Sequence, residues 1–171
     1  MEEIESPVEH LSEELHHAAA HAKENWLKWS ALLSALLAVL AAIAGMQSGH
    51  EVNAAMIEQI KASDAWGYYQ AKGIKSMIVE SQPRQHPETH QKIEKYQKEQ
   101  ESIKHDAESR VAASEKHLHG HEILARSVTL FQVAIAMTAI AVLTRRKHFL
   151  LFSAGLGLIG SIFFAQFFMM N

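Results

Sequence analysis

Three long apolar runs interrupt an otherwise polar chain: Trp26 to about Gly45, about Ile123 to Leu143, and Phe149 to Met170. A hydrocarbon core about 30 Å thick takes roughly 20 apolar residues in a helix rising ~1.5 Å per residue. Each run reaches that length. Charges keep to the edges, with Lys28 and Arg126 near the starts of the first two runs and none in the third. The pattern predicts transmembrane helices over residues 26–46, 121–144 and 149–170.

Residues 47–120 are polar but periodic. Ile57, Ile60, Asp64, Gly67, Ala71, Ile74 and Ile78 recur at alternating three- and four-residue steps, as do Ile93, Tyr96, Gln100, Ile103, Ala107, Val111, Ser114 and Leu118. That is the spacing of a coiled-coil seam. Two prolines, Pro83 and Pro87, end one helix and start the next, so the turn is placed at 81–87. Folding about Arg84 and Gln85 brings Ile74 to Tyr96, Ile78 to Ile93, Trp66 to Ile103 and Ile60 to Val111. The seam is thin, because Asp64, Gly67, Gln100 and Ser114 occupy seam positions.

Ahead of the first run, Ser6-Pro7-Val8-Glu9 has the form of a capping box with proline at the first helical position. It opens a predicted amphipathic helix over residues 1–25 that continues into span one. The expected fold class is an all-α membrane protein. It has three transmembrane helices, a long antiparallel helical hairpin between spans one and two, and an N-terminal helix continuous with span one.

The overall mean hydropathy, −0.08, hides this build by averaging greasy spans with a charged middle. Short basic loops stay in the cytoplasm. Arg145, Arg146 and Lys147, followed by His148, form the densest basic cluster and set the turn between spans two and three on that side. A cytoplasmic N-terminus and a periplasmic hairpin follow. Zero cysteines leave redox compartment open.

Small residues are expected to let the spans pack closely in lipid: Ala31, Ala35, Ala38 and Ala42 in the first, Ser153, Gly157 and Ser161 in the third. Three helices have little interior of their own, so a homo-oligomer in the lipid bilayer is expected, with other membrane proteins as further candidate partners.

Candidate chemistry is sparse. Of twelve histidines, His17 with His21, His86 with His90 and His117 with His121 stand one helical turn apart, a spacing that can offer two imidazoles to zinc, nickel or copper; the first and last pairs are the metal candidates. No third ligand at a known offset accompanies any pair, and no cofactor is expected. Asp64, Trp66, Tyr68, Tyr69 and Lys72 join aromatic rings to charges, a combination suited to a protein interface. A bland alternative has Trp66 and Tyr69 covering the seam while Asp64 pairs with Lys104 or His105 across it. Coupled ion transport usually needs intramembrane charge, and none lies mid-span. Thr129 and Gln132 remain as possible lining of an oligomeric pore. Phosphate loops, nucleophile elbows and isolated carboxylate pairs are missing, which speaks against catalysis. A net charge of −3 with mixed signs speaks against nucleic acid.

Over Ile57-Glu58-Gln59-Ile60-Lys61-Ala62-Ser63-Asp64-Ala65-Trp66-Gly67-Tyr68-Tyr69-Gln70-Ala71-Lys72 the chain resembles the bacterial membrane-protein family catalogued as domain of unknown function 4337. The likeness extends to the acidic, His-rich start, the Ala/Leu span after Trp26 and the two closing spans. It implies an inner-membrane location and a helical build, with no activity or catalytic residue to carry over. The function expected is a non-enzymatic, self-associating inner-membrane scaffold or accessory subunit. Two alternatives are an oligomeric channel or transport accessory, and a histidine-based metal-handling or pH-sensing protein.

Overall fold

The computed structural model describes residues 25–81 and 87–170. Among these residues there are three helices and no strand: α1 (Asn25–Glu80), α2 (Pro87–Thr144) and α3 (Lys147–Met170). All three are long and apolar enough to cross a membrane. Pro87 opens α2, where its missing N–H costs nothing, and Glu88 lies in the first turn beside the positive end of the helix dipole. α1 runs unbroken through Gly45 and Gly49, and α2 through Gly120. The expected helix over residues 1–25 and the centre of the 81–87 turn lie outside the described residues.

The chain divides into two compact units. In the first, residues 25–50 and 120–170, the core consists of Leu37, Ala44, Ile123, Leu124, Phe131, Ala134, Ile135 and Phe167. α3 meets both other helices through glycines. A Cβ on Gly157 would lie 2.7 Å from Leu37 Cδ2, and one on Gly160 would lie 2.9 Å from Phe131 Cε1. Hydroxyls then tie the backbones together. Ser127 Oγ donates to the Gly160 carbonyl at 2.9 Å. The Thr138 and Ser153 hydroxyls are 2.7 Å apart, and both lie within 3.0 Å of the Ala134 carbonyl oxygen.

Only Arg145 and Arg146 separate α2 from α3. Arg145 takes a left-handed φ of 53°. Its N–H donates to Val142 O at 3.2 Å, and the Arg146 N–H donates to Ala141 O at 3.1 Å. This pair of bonds is a Schellman cap, a motif that ordinarily places glycine at the left-handed position.

The second unit is Glu51–His119, an antiparallel pair of arms from α1 and α2. Ser114 Oγ donates to the Ala55 carbonyl at 2.9 Å, and Gln100 Nε2 donates to the Tyr69 carbonyl at 3.2 Å. One heptad along from Ala55 and Ser114, Ala62 and Ala107 are 1% and 0% exposed. The arms thus keep the register that folding about Arg84 and Gln85 requires.

The face used by the first arm differs from expectation. Ile57, Ile60, Ile74 and Ile78 point outward at 52–59% exposure, while Ala55, Ala62 and Ser76 are buried. Small side chains allow close approach, and at Gly73 a Cβ would lie 2.8 Å from Gln100 Nε2. On the second arm Ala107 and Ser114 are buried, Ile93, Tyr96, Gln100, Ile103 and Val111 are half-buried, and Leu118 is exposed. Two of the polar seam positions, Gln100 and Ser114, supply hydrogen bonds across it.

Candidate functional site

Helical spacing on α1 sets Trp66, Tyr69 and Lys72 along one side, with Tyr68 beside them. Lys72 is 13% exposed and pairs with Glu99 of the facing arm at 2.5 Å. Its Nζ lies 5.2 Å from the Tyr68 ring and 5.4 Å from the Tyr96 ring. An ammonium over aromatic faces gains from the ring quadrupole. The hydrogen bond to Glu99, and secondarily that to Tyr68, raises the Lys72 pKa. The same Lys72 contact lowers that of Glu99. Lys72 is thereby held as a cation, the wrong state for a nucleophile. Trp66 and Tyr69 meet edge to face, centroids 5.5 Å apart at 78°.

Beside this cluster Asp64 lines an open groove of about 680 Å³ together with Lys61, Tyr68, Asp106 and Arg110. The cations there are already matched. Arg110 binds Asp106 at 3.0 Å and Glu58 at 3.3 Å, and Lys61 binds Glu58 at 2.7 Å. Lys61, ahead of Arg110, holds the Glu58 carboxyl below its usual range, and Asp106 raises Arg110. Asp64 pairs with neither Lys104 nor His105, contrary to expectation; Lys104 reaches Glu108 at 4.0 Å. The groove therefore offers a solvent-facing carboxylate and a phenol, with no acid–base pair or activated nucleophile.

Along the outer side of α1 the exposed heptad continues as Ile57, Ile60, Ala71, Ile74 and Ile78, joined by Met77 at 69% exposure. Asp64 and Gly67 lie within the same stripe, and nothing stands within 4 Å of a Cβ built on Gly67. These large apolar side chains are aligned at heptad spacing on an exposed helix face.

His17 and His21 lie outside the described residues. His117 Nδ1 is 2.8 Å from Glu51 Oε2. His121 Nδ1 is 3.0 Å from the Ser48 carbonyl and 2.8 Å from its hydroxyl. Each imidazole thus has its own local partner. Among the described residues no three His, Asp or Glu side chains converge as metal ligands.

In the first unit Ala31 is buried, Ala35 and Ala38 are half-buried, and Ala42 is exposed. Ser153 and Gly157 are buried, while Ser161 is half-buried and bonds back to Gly157 O at 2.9 Å. Ser127 and Thr138, which spacing alone did not single out, make the hydroxyl contacts described above. A buried serine or threonine in an apolar helix is the signal that points to them. Ser30 donates to Trp26 O at 2.9 Å, whereas the buried Ser34 hydroxyl has no partner among the described residues. Thr129 and Gln132 both face outward. Thr129 bonds to Ala125 O of its own helix at 2.9 Å, and the Gln132 amide makes no hydrogen bond among the described residues. Arg146 and Lys147 are exposed beside Arg145.

Residues 26–170 match the model of the family described as Domain of unknown function (DUF4337). The chain belongs to that family. No curated protein and no solved structure matches it. The family description names no activity, so the functional reading rests on the surfaces themselves.

Proposed function

We propose that this is a non-enzymatic, multi-pass protein of the bacterial inner membrane that self-associates and acts as a scaffold or accessory subunit of a membrane complex. The observation carrying the reading is the exposed heptad on α1, Ile57, Ile60, Ile74 and Ile78. Copies inserted with the same sidedness carry α1 in the same direction. Each isoleucine then meets its own counterpart, as in a parallel coiled coil. Asp64 within the seam sets like charges face to face at a cost in affinity, so the isoleucines on either side of it carry the contact. The basic turn at Arg145, Arg146 and Lys147 supports a cytoplasmic N-terminus with Glu51–His119 in the periplasm.

The test is sedimentation of the full chain in detergent, with and without the double substitution Ile60→Lys/Ile74→Lys. A concentration-dependent oligomer is expected from the unaltered chain and a shift toward monomer from the variant. A chain that stays monomeric throughout would sink the reading.

An oligomeric channel is the second reading, favoured by the outward-facing Thr129 and Gln132. One copy's interior is filled by the fully buried Leu124, Phe131 and Ile135, so any passage must lie between copies. Ion flux into vesicles reconstituted with the chain is its test, and absence of flux counts against it.

A further inference from the structure

Gln132 lies midway along the apolar stretch from Ile123 to Leu143, roughly 15 Å from either end at ~1.5 Å per residue. With α2 read as a bilayer span, as in the preceding subsection, this side chain sits near mid-depth. It is exposed on the outer face of the helix and hydrogen-bonds to nothing among the described residues. Thr129, one turn away, meets its hydroxyl's need within α2. Thr138, Ser127 and Ser153 meet theirs within the bundle. Gln132 is thus, midway along this span, a polar side chain that is exposed and unpaired among the described residues. Hydrocarbon has no donor or acceptor for a carboxamide, and a polar group left unmatched there is costly.

We infer that Gln132 pairs with Gln132 of a second copy, across a dry contact between two α2 helices. A carboxamide carries both donor and acceptor, so two copies can satisfy each other, each –NH2 donating to the other's carbonyl oxygen. Depth decides for a second copy over an unrelated partner. Copies of the same sidedness bring Gln132 to its counterpart's depth automatically, whereas another protein would need a polar side chain at that same level. Ala136, exposed one turn further along, leaves room for the helices to approach.

The chain contains no cysteine, so single thiols report contacts directly. In phospholipid vesicles, full-length Ala136→Cys treated with oxidant is expected to give disulfide-linked dimers in large excess over Leu158→Cys, an exposed position on α3. Adding Gln132→Leu should weaken association by about five- to thirty-fold in an energy-transfer dilution series, while Gln132→Asn should keep most of it. Equal cross-linking and affinity with and without Gln132→Leu would overturn the inference. So would modification of Ala136→Cys by a membrane-impermeant maleimide, because water at that face means a pore and not a dry amide pair. Association lost in Ile60→Lys/Ile74→Lys but unchanged by Gln132→Leu removes this inference and leaves the α1 seam. The converse removes the seam and leaves the amide pair.

Discussion

The two units of this chain share two long helices, α3 joining them in the first unit only, and are held together by different physics. In the first, backbones come close at Gly157 and Gly160, and buried hydroxyls of Ser127, Thr138 and Ser153 bond across the contact. In the second, the buried residues are the small Ala55, Ala62, Ser76, Thr89, Ala107 and Ser114, flanked by ion pairs at Glu58, Lys72 and Glu99. Where water drives apolar groups together, large side chains gain most from burial; in lipid that gain disappears and close contact takes over. Yet Glu51–His119 buries its alanines and exposes its isoleucines. The best apolar residues of this region thus lie on its surface, where the self-association proposed above would cover them.

The largest effect should come from filling a close contact. Gly160→Ala places a methyl 2.9 Å from Phe131 and 3.3 Å from Leu130 Cβ. It should cost about 1–3 kcal/mol, seen as a lower thermal midpoint in detergent. Gly157→Ala should cost less, because its neighbour is the far end of Leu37. Equal and negligible costs would mean that glycine contact does not set the stability of this unit.

In Glu51–His119, Ser114→Ala removes the bond to Ala55 O and should cost about 1 kcal/mol. Hydrogen exchange across the arms reads it. A loss spread over both arms means the pair opens as one body, and a loss confined to one turn means it frays.

A smaller and pH-dependent effect belongs to Lys72 and Glu99. The depressed Glu99 contributes stability above the ordinary carboxylate range, lost as pH falls through its lowered value. The raised Lys72 contributes below the ordinary lysine range, lost as pH rises through its elevated value. Exchange protection of the arms should be flat near neutrality and fall in acid. Lys72→Met should make the acid fall shallower without abolishing it, since Lys61 and Lys98 depress Glu58 and Glu94 as well. An unchanged acid limb would show that the pair carries no stability.

Least should come from Ser34→Ala. Its hydroxyl is buried without a partner among the described residues, so removal should leave the thermal midpoint unchanged or slightly higher. A clear loss would reveal a partner for Ser34 that completes the first unit.

Much of the architecture is legible in the sequence because length, charge and proline are blunt signals. The three apolar runs and the Pro83/Pro87 break suffice for three long helices. The register of the arms follows from where the break falls. Facing is harder, because α1 carries two heptads at once: Ile57, Ile60, Ile74 and Ile78 on one side, Ala55, Ala62, Tyr69 and Ser76 on another. Hydrophobicity favours the first, but close approach of two helices favours the second, and periodicity cannot rank them. The candidate surfaces show the same limit. Trp66, Tyr68, Tyr69 and Lys72 stand out in sequence, but only the fold shows Lys72 tied to Glu99 and Asp64 without a partner among the described residues. Gln132 stands out as polar, and only the fold shows which way it faces.

The Arg145 joint carries one further consequence. With two residues between α2 and α3 and both backbone N–H groups bonded back into α2, the joint has no slack. It works as a timing mark between two shafts, fixing the angular phase at which α3 starts. Ser153, Gly157 and Gly160 reach Ala134, Leu37 and Phe131 because of that phase. One inserted residue would turn α3 by about 100° about its axis and present Leu156 and Ile159, in place of Gly157 and Gly160, to the close contact.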